Sequence, residues 1–458
     1  MNMHRRAFIE RAGLAALGGL LGRSAFAQDR PPNILFVLAD DLGWSDLSCY
    51  GSTFHRSPHI DALAGEGMRF TDAYAAAPVC SATRASILTG MYPASVNLTD
   101  FIPGHQRPWE DLIVPQQNLS LPLETTSMAE CLGQAGYATA HIGKWHLGRE
   151  GSQPEDHGFS YQFQGGPSEN DKRVGVLTDK ALGFMERQRS NPFYLQLSHH
   201  TVHIPLEADP DIVAKYEDLA DPNAPQSNPE YAAMIEMLDD STARLLSRLD
   251  DLGLADNTLV LFMSDNGGLI HWYTGGDPRV TSNEPLRAEK GTLYEGGIRV
   301  PMIVRWPGHV EPGSECHEPV TTADLLPTFA DAAGTPPPPE VDGMDLTPLL
   351  EGRSDLGREA IYFHYPHYHH ADPGGAMREG EWKLIEWFED GSLELYNLER
   401  DIGETTNLAP IMPGRARRMQ RKLAAWRDRV GAKMPTPNPN ADPSRSHEWS
   451  AYPAPYWE

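Results

Sequence analysis

Four apolar stretches of the chain end abruptly in polar residues. The first, Asn33–Ala39, reads NILFVLA and is followed directly by Asp40 and Asp41. An uninterrupted apolar run of this length is typical of a strand buried on both faces of a parallel sheet. Three similar runs cover residues 137–142, 193–197 and 258–263, and they lead into GKWHLG, SHHTVH and SDNGG. Residues 299–305 predict a further strand, which no polar cluster follows.

Helical patterns lie between these runs, over residues 61–67, 127–136 and 231–252. Strands that alternate with helices predict an α/β fold with a mostly parallel central sheet flanked by helices. In such sheets the carboxyl ends of the strands meet at one edge, where ligands usually bind. We therefore expect the polar residues that follow the strands to form one site.

The chain changes character after a proline-rich break at residues 335–340. The runs EWKLIEWF and SLELYNL, joined by the sequence EDG, predict a β-hairpin, and a helix is expected over about 413–430. We therefore divide the chain into a catalytic domain, a smaller C-terminal α+β subdomain and an extended Pro/Asn-rich tail. These three parts cover residues 30–350, 355–432 and 433–458.

Residues 1–27 have the features of an export signal. Arg5 and Arg6 form a twin-arginine start, an apolar stretch follows over 12–21, and residues 25–27 (AFA) resemble a cleavage site. The apolar stretch is too short to span a bilayer, and a buried N-terminal helix is the alternative interpretation. The twin-arginine start indicates a bacterial protein exported in the folded state, with the export machinery as a partner and a periplasmic or secreted location. No other run reaches membrane length, so no membrane anchor is expected.

The charge balance is strongly acidic. The chain has 38 basic and 63 acidic residues, and loss of residues 1–27, with four arginines and one glutamate, would leave 34 and 62 and a net charge of −28. Such a surface repels nucleic acid and anionic membranes, so neither is an expected partner. An anionic substrate would need a local basic pocket. Four cysteines are too few for a disulfide framework, namely Cys49, Cys80, Cys131 and Cys316.

One cysteine stands in an unusual position, in the stretch AAAPVCSATRASILTGMYP. Residues 81–89 predict a helix that ends at Gly90, so Cys80 should lie at the helix N-terminus, where backbone N–H groups favour an anion. Arg84 is one turn along the same face. A small buried core cysteine and an ordinary thiolate nucleophile are the alternative interpretations on these residues alone.

The wider motif resembles a known signature. Cys-x-Ala-x-Arg followed by Ala-Ser-Ile-Leu-Thr-Gly is similar to the signature of the type I sulfatases, in which the cysteine is oxidised to formylglycine. Further blocks look like family blocks in family order: NILFVLADDLGWSD, GYATAHIGKWHLG, HTVHIP, SDNGG and LRAEKGTLYEGGIRVPMIVRWPG. The resemblance covers most of the chain from Asn33 to about Asn407. It implies an alkaline-phosphatase-like fold, hydrolysis of sulfate esters, and a formylglycine-generating enzyme as a partner. Ala82 departs from the proline of many members, which leaves the maturing enzyme open.

Four oxygen-bearing residues point to a metal site. They form two pairs, each directly after a predicted buried strand: Asp40 with Asp41, and Asp265 with Asn266. Oxygen ligands suit calcium or magnesium better than zinc, although either pair alone would more often form a capping or solvated turn. The resemblance implies calcium, with magnesium possible and residue 80 as a further ligand.

The resemblance also implies roles for basic residues. Lys144 and His146 would hold the sulfate and the hydroxyl of the modified residue, and Arg84 would steady that residue. His203 and Lys290 match positions on the leaving-group side. In the implied mechanism a hydroxyl of hydrated formylglycine attacks sulfur, His203 or Lys290 protonates the departing alcohol, and His146 takes a proton to release the covalent sulfate. Together these residues would supply the local positive field that an anionic substrate needs.

Alternative functions stay open. A phosphonate monoester or phosphodiester hydrolase shares the implied fold, and a catalytically silent carbohydrate-binding protein is a second alternative. For an exported bacterial sulfatase, we expect sulfated carbohydrates as substrates.

Aromatic and histidine-rich stretches add weaker hypotheses. In HYPHYHH, His364 and His367 are expected to contact substrate at the rim of the site, with a solvated loop or a zinc cluster as alternatives. Trp109 and the Asp100–Phe101 stretch would line the entrance or pack inside the protein.

Overall fold

The apolar runs of the sequence become the strands at the centre of the fold. The computed structural model describes residues 30–166, 168, 170–271, 279–446 and 448. The predicted export signal and the last ten residues of the predicted tail lie outside the described residues. In chain order the described strands are β1 (Asn33–Ala39), β2 (Met68–Phe70), β3 (Ala73–Tyr74), β4 (Leu112–Ile113), β5 (Ala138–Gly143), β6 (Tyr161–Phe163), β7 (Phe193–Ser198), β8 (Thr258–Ser264), β9 (Met302–Arg305), β10 (Ser314–Cys316), β11 (Val320–Thr321), β12 (Ile361–Tyr365), β13 (Gly374–Glu379), β14 (Trp382–Trp387), β15 (Leu393–Asn397) and β16 (Thr436–Pro437).

The helices fill the segments between the strands. In the same part of the chain they are α1 (Pro58–Glu66), α2 (Cys80–Thr89), α3 (Met128–Gln134), α4 (Val174–Arg187), α5 (Pro210–Glu217), α6 (Pro229–Asp251), α7 (Glu295–Ile298), α8 (Leu325–Ala332), α9 (Thr347–Leu350) and α10 (Pro413–Val430). Their ends follow local signals. Gly90, with φ of 67°, ends α2 in the left-handed region, and Ser127 and Glu130 form a capping box at the start of α3.

Eight of the described strands form the central sheet, in the order β10-β2-β9-β8-β1-β7-β5-β6. β8, β1, β7, β5 and β6 are parallel to one another, so the predicted mostly parallel sheet is confirmed. β9 runs antiparallel to both of its neighbours and is shorter than the predicted strand 299–305. Its carboxyl end therefore lies at the opposite edge of the sheet, which explains why no polar cluster follows it.

Both faces of the sheet are covered, as the uninterrupted apolar runs predicted. Alternate residues of β1 point to opposite faces. Leu35 and Val37 belong to a core with α1, α4, α5 and α6, whereas Phe36 and Leu38 belong to a second core with α2, α3, α8 and α9. The two cores hold the strand ends at fixed positions, and those ends carry the site.

The C-terminal part forms a separate antiparallel sheet, in the order β12-β13-β14-β15. The predicted hairpin is β14 with β15, and α10 spans the predicted residues and packs against this sheet. The strands β12 and β13 were not predicted. In the predicted tail, β16 pairs with β4, so the described part of the tail lies against the rest of the protein. Both sheets lie in one compact unit that begins at Pro32.

Two further sequence expectations concern cysteines and membranes. All four cysteines are free thiols, as expected for a chain without a disulfide framework. A search of the described residues finds no helix that combines the length and apolar character needed to cross a bilayer.

Candidate active site

The carboxyl ends of four neighbouring parallel strands bring the predicted polar residues together. In the register of β1 and β8, Ala39 pairs with Ser264, so the residues that follow these two strands lie side by side. The segment after β5 carries Lys144 and His146, and the segment after β7 carries His203. The polar residues after each strand therefore converge at one edge of the sheet, as the sequence predicted.

Helix α2 presents its first residue, Cys80, to this edge. The helix is buried along its whole length, and Cys80 is 3% exposed. One turn further, Arg84 donates from Nε and Nη2 to Oδ2 of Asp265 at 2.9 and 2.8 Å, and from Nη1 to the carbonyl of Lys144 at 2.6 Å. These bonds join α2 to the ends of β8 and β5, so Arg84 fixes the position of Cys80 relative to the sheet.

Two lysines contact the first acidic pair. Nζ of Lys144 lies 2.6 Å from Oδ2 of Asp40, and Nζ of Lys290 lies 2.8 Å from Oδ2 of Asp41. Burial alone would raise the pKa of Asp40, but the charges of Lys144, Arg84 and Lys290 hold it well below its usual value. Both carboxylates are therefore ionised despite being 1% exposed.

The acidic cluster fits a hard cation. Oδ1 of Asp40 and Oδ1 of Asn266 are buried and have no hydrogen-bond partner among the described residues. An unpartnered buried oxygen is costly, and two of them beside the carboxylates of Asp41 and Asp265 are the donors that calcium or magnesium prefers. Burial and the charge of Asp40 raise the pKa of Asp265 to about 6, although Arg84 opposes this shift.

A histidine also lies near this cluster. Atoms of Asp40, Asp41 and His203 that could bind a metal lie within 4.8 Å of one another, whereas the ligand set predicted from the sequence contained no histidine. Asp265 and Asn266 reach the cluster through Asp41, whose backbone N–H donates to Asp265 and whose carboxylate accepts from Asn266. The two unpartnered oxygens favour the all-oxygen set over a histidine ligand.

His146 faces Cys80 with a defined ring nitrogen. Its Nε2–H donates to the carbonyl of Ile102 at 2.7 Å, so Nδ1 carries the lone pair and lies 3.2 Å from Sγ of Cys80. Burial, and then the charge of Lys144, holds the pKa of His146 well below its usual value. A neutral His146 therefore presents a proton acceptor to residue 80.

His203 lies on the other side of the acidic pair. Its Nδ1–H donates to the carbonyl of Ile204, and its Nε2 is 3.6 Å from Oδ2 of Asp41. Burial and the nearby Lys290 lower its pKa to about 4, although Asp41 opposes this shift. His203 is therefore neutral near pH 7 in the protein without substrate, with its lone pair on Nε2.

A cavity of about 650 Å³ opens onto Cys80. This volume is typical of a small-molecule site. The cavity is also lined by residues that were not predicted to belong to the site, chiefly His105, Gln164, Lys172, Arg173, His200 and Glu207. The basic pair Lys172–Arg173, shortly after β6, was a visible local signal. The sequence does not show that this pair would lie in the cavity at the strand ends.

His364 and His367 are not among the residues that line this cavity. Both side chains are 4% exposed; Nε2 of His364 bonds the carbonyl of Lys433, and Nε2 of His367 bonds Oγ1 of Thr99. They lie inside the protein, so neither is in a position to contact a ligand in the cavity. The later part of the same stretch does reach the site, because Nδ1 of His370 bonds the carbonyl of Lys290.

Of the aromatic residues near position 100, one lines the cavity and one packs inside the protein. Phe101 lines the cavity, as an entrance residue would. Trp109 is 2% exposed and lies beneath the guanidinium of Arg445, 4.1 Å from it, so it packs inside the protein.

The fold and the site together define the class. A mostly parallel sheet with a smaller antiparallel sheet, and an acidic cluster with a buried helix N-terminus at the strand ends, is the arrangement of the alkaline-phosphatase-like hydrolases. A family model described as "Sulfatase" matches residues 32–335, and one described as "N-sulphoglucosamine sulphohydrolase, C-terminal" matches residues 288–428. The chain belongs to the sulfatase family and is a sulfuric ester hydrolase.

Individual relatives match over most of their length. A sulfatase of Formosa agariphila is 31% identical, over 89% of this chain and 91% of the relative. Arylsulfatase A of Homo sapiens is 32% identical, over 84% of this chain and 85% of the relative. Among solved structures, Ps i-CgsB in complex with k-i-k-neocarrahexaose is 28% identical, covers 87% of this chain and 93% of that chain, and has a TM-score of 0.75.

Proposed function

We propose that this sulfatase removes sulfate from carbohydrates through a formylglycine made from Cys80. A similar structure was solved with a neocarrahexaose, which supports a saccharide as the substrate of this chain too. The observation that carries the proposal is the position of Cys80, at the first turn of a buried helix and at the base of the cavity.

The thiol itself is poorly suited to act as the nucleophile. Burial raises the pKa of Cys80, even though Lys144 and Lys290 lower it, so the unmodified residue is a neutral thiol near pH 7. The thiolate, not the thiol, is the nucleophile in cysteine catalysis. Conversion to formylglycine, which is hydrated in water, supplies a hydroxyl nucleophile at this position. The residues around position 80 can then act on this hydroxyl and on the sulfate group.

The residues around position 80 have complementary roles. Lys144 and Lys290 place two positive charges where the charge of a sulfate group develops, which stabilises the transition state. His146 can accept a proton at Nδ1 from the side chain of residue 80, because its other nitrogen is held by Ile102. Arg84 holds the helix that carries the residue.

The departing alcohol needs a proton donor on the side opposite the attacking hydroxyl. Lys290 is a charged donor on that side, and His203 becomes a second donor when it is protonated. A sulfate anion beside His203 favours its imidazolium form and so raises its low pKa. We propose that His203 supplies the proton to poor leaving groups such as sugar hydroxyls.

We propose calcium, with magnesium as the alternative, as the ion of the acidic cluster. Asp40, Asp41, Asp265, Asn266 and residue 80 would hold it. When bound, such an ion supplies positive charge to sulfate oxygens and to the attacking hydroxyl. A formylglycine-generating enzyme and the twin-arginine export machinery are the further partners of this proposal, with a periplasmic or secreted location.

The test is a matched pair of assays on protein produced with a formylglycine-generating enzyme. Mass spectrometry should find formylglycine at residue 80, and an aryl sulfate should be hydrolysed faster than the corresponding aryl phosphonate. Faster hydrolysis of the phosphonate would favour the phosphonate or phosphodiester hydrolase. Folded protein with formylglycine that hydrolyses neither ester would favour the silent binding protein.

The matched control compares two buried thiols. Cys80→Ser should abolish turnover if the maturing enzyme accepts only cysteine, because serine cannot form the hydrated aldehyde. Cys131→Ser changes a thiol on α3 that is 5% exposed, bonds the carbonyl of Pro336 and does not line the cavity, so it should retain activity. Turnover by Cys80→Ser with unmodified serine would rule out the formylglycine.

The metal is tested by binding as well as by rate. Chelation should abolish turnover and lower the melting temperature, and calcium should restore both, because an ion that binds only the folded state stabilises it. Asp265→Asn keeps the shape of the side chain but removes one charge, so it should weaken calcium binding in calorimetry. An ion-free protein with full activity would contradict the assignment.

A further inference from the structure

One wall of the cavity carries positive charge that the reaction at sulfur does not use. The wall, here called the basic wall, consists of Lys172 and Arg173, which immediately precede α4, and they line the same cavity as Cys80. Among the described residues, neither is in an ion pair with a carboxylate. In a chain with a net charge of −25, two basic side chains inside a cavity need an explanation.

The structure holds the basic wall in a defined shape. Nζ of Lys172 donates to the carbonyl of Pro205 at 2.6 Å, and Nε of Arg173 donates to the carbonyl of Gly166 at 3.2 Å. The carboxylate of Asp171 accepts from the backbone N–H groups of Arg173 and Gly175, at 2.9 and 2.7 Å. Asp171 thus stabilises the loop, while each cation keeps further N–H donors that these bonds do not use.

In the described part of the chain, the charged residues that line the cavity are four cations and two carboxylates, so the lining is net positive. Glu207 is one of these carboxylates, and its Oε1 accepts from Ser168. His200 also lines the cavity, and burial, then Lys144, lowers its pKa to about 3, so it is neutral. Burial also lowers the pKa of Lys172, although Asp40 and Glu207 oppose this shift. Neither of these carboxylates forms an ion pair with Lys172 or Arg173, so both cations can bind an anion.

We propose that Lys172 and Arg173 bind a second anionic group of the substrate, on the sugar that carries the scissile sulfate or on the adjacent one. This inference rests on the proposed function, and it specifies the substrate as a saccharide with at least two anionic groups. Lys144 and Lys290 serve the sulfate that is removed, and the basic wall serves a sulfate or a uronate carboxylate that stays. An arginine and a lysine suit either group, because both are planar or compact oxyanions.

The test measures a preference between matched disaccharides. One pair differs by a sulfate, namely κ- and ι-carrabiose, and another differs by a carboxylate, namely chondroitin 6-sulfate disaccharide and its carboxyl-reduced form. The protein should prefer the member with the extra anion by roughly tenfold or more in kcat/KM in at least one pair, as expected for a charge-assisted contact of about 1.5–3 kcal/mol. The pair that shows the preference tells sulfate from carboxylate.

The variant Lys172→Met/Arg173→Met should reduce this preference to less than about threefold, because no cation then faces the extra anion. Lys172→Arg/Arg173→Lys keeps both charges and should keep most of the preference, which separates charge from loop shape. The matched control is Lys180→Met/Arg187→Met, which removes one lysine and one arginine from the exposed side of α4, where they lie over Phe163 and Tyr161. It should leave the preference as it is in the parent.

An unchanged preference in Lys172→Met/Arg173→Met, or a parent protein that shows no preference in either pair, contradicts the inference. Such failure is distinguishable from failure of the proposed function, because 4-nitrophenyl sulfate has no second anion and reports sulfatase chemistry by itself. Added salt should also reduce the preference, since the basic wall is partly exposed and its contacts are screened.

Discussion

At the scale of the residue, two histidines on opposite sides of the acidic pair have different environments. The free nitrogen of His146 is Nδ1 and points to residue 80, whereas the free nitrogen of His203 is Nε2 and points to Asp41. In each case a backbone carbonyl decides which nitrogen is free. Two histidines in one site can therefore serve different proton transfers.

These environments predict different kinetics for the two alanine variants. His203→Ala should reduce kcat/KM for a sugar sulfate by about 100-fold or more but for 4-nitrophenyl sulfate much less, because a good leaving group departs without a proton. His146→Ala should affect both esters similarly once release of sulfate limits the rate. Rapid-quench mass spectrometry should then find an added sulfate on residue 80 in the His146 variant only. Equal leaving-group dependence, with no sulfated protein in either variant, would refute the division.

At the scale of the element, the C-terminal sheet holds the segment that carries Lys290. Lys383, on β14, is fully buried, and its Nζ lies 2.8 Å from carboxylate oxygens of both Glu295, the first residue of α7, and Glu404. Burial would raise the pKa of Glu295, but Lys383 and Arg299 lower it to about 2. Burial raises the pKa of Glu404 to about 7, although Lys383 opposes this shift. The ion triad therefore joins the C-terminal sheet to α7 through one lysine.

Loss of this lysine should be costly. Lys383→Met leaves Glu404 buried without its cation and Glu295 paired with Arg299 alone, and we expect a loss of about 3–5 kcal/mol in the free energy of unfolding. The denaturant midpoint measures it. Lys422→Met is the control, because Lys422 pairs with Glu359 and Glu379 at the surface, and such pairs are worth about 1 kcal/mol or less.

A second variant tests whether the uncompensated charge of Glu404 causes the loss. Lys383→Met/Glu404→Gln removes that charge and should recover part of the lost stability. Equal losses for Lys383→Met and Lys422→Met would show that the triad does not stabilise the contact between the C-terminal sheet and α7.

At the scale of the whole molecule, the interior contains several neutral histidines. Burial lowers the pKa of each to about 3 or 4, and the examples are His105, His141, His199, His364 and His367. The unfolded chain binds protons at these residues below about pH 6.5, and the folded protein does not. Stability from these groups is therefore complete above the unfolded pKa and falls as pH decreases toward the folded pKa. The raised pKa of Asp100, about 7 because of burial, acts in the opposite direction.

Replacement of one such histidine should reduce the acid sensitivity. His141 packs edge-on against Trp145 and Phe159, so His141→Phe retains an aromatic ring but cannot be protonated. Between pH 7 and pH 5 the variant should lose about 2 kcal/mol less unfolding free energy than the parent, at about 1.4 kcal/mol per pKa unit. Denaturant midpoints at the two pH values measure this difference. His317→Phe, at an exposed ring, is the control and should follow the parent.

Much of the fold was readable from the sequence because each central strand is buried on both faces. Such strands are uninterrupted apolar runs, and the turn to polar residues marks their ends. β1, β5, β7 and β8 were therefore predicted within a residue or two, and the acidic pairs that follow them were expected at one edge. The unpredicted strands β12 and β13 contain buried tyrosine, histidine and arginine, so they lack the uninterrupted apolar run that would have indicated a strand.

The chemistry-bearing residues of the site could be recognised from their place after the apolar runs, because parallel strands bring their carboxyl ends to one edge whatever the rest of the chain does. What each of these residues faces depends on tertiary packing. Ile102 selects the free nitrogen of His146, and the loop before α4 brings Lys172 and Arg173 to the cavity of Cys80. His364, from a histidine-rich stretch that suggested a binding loop, is buried instead. Contacts between residues so distant in the chain depend on packing, which leaves no local pattern in the sequence.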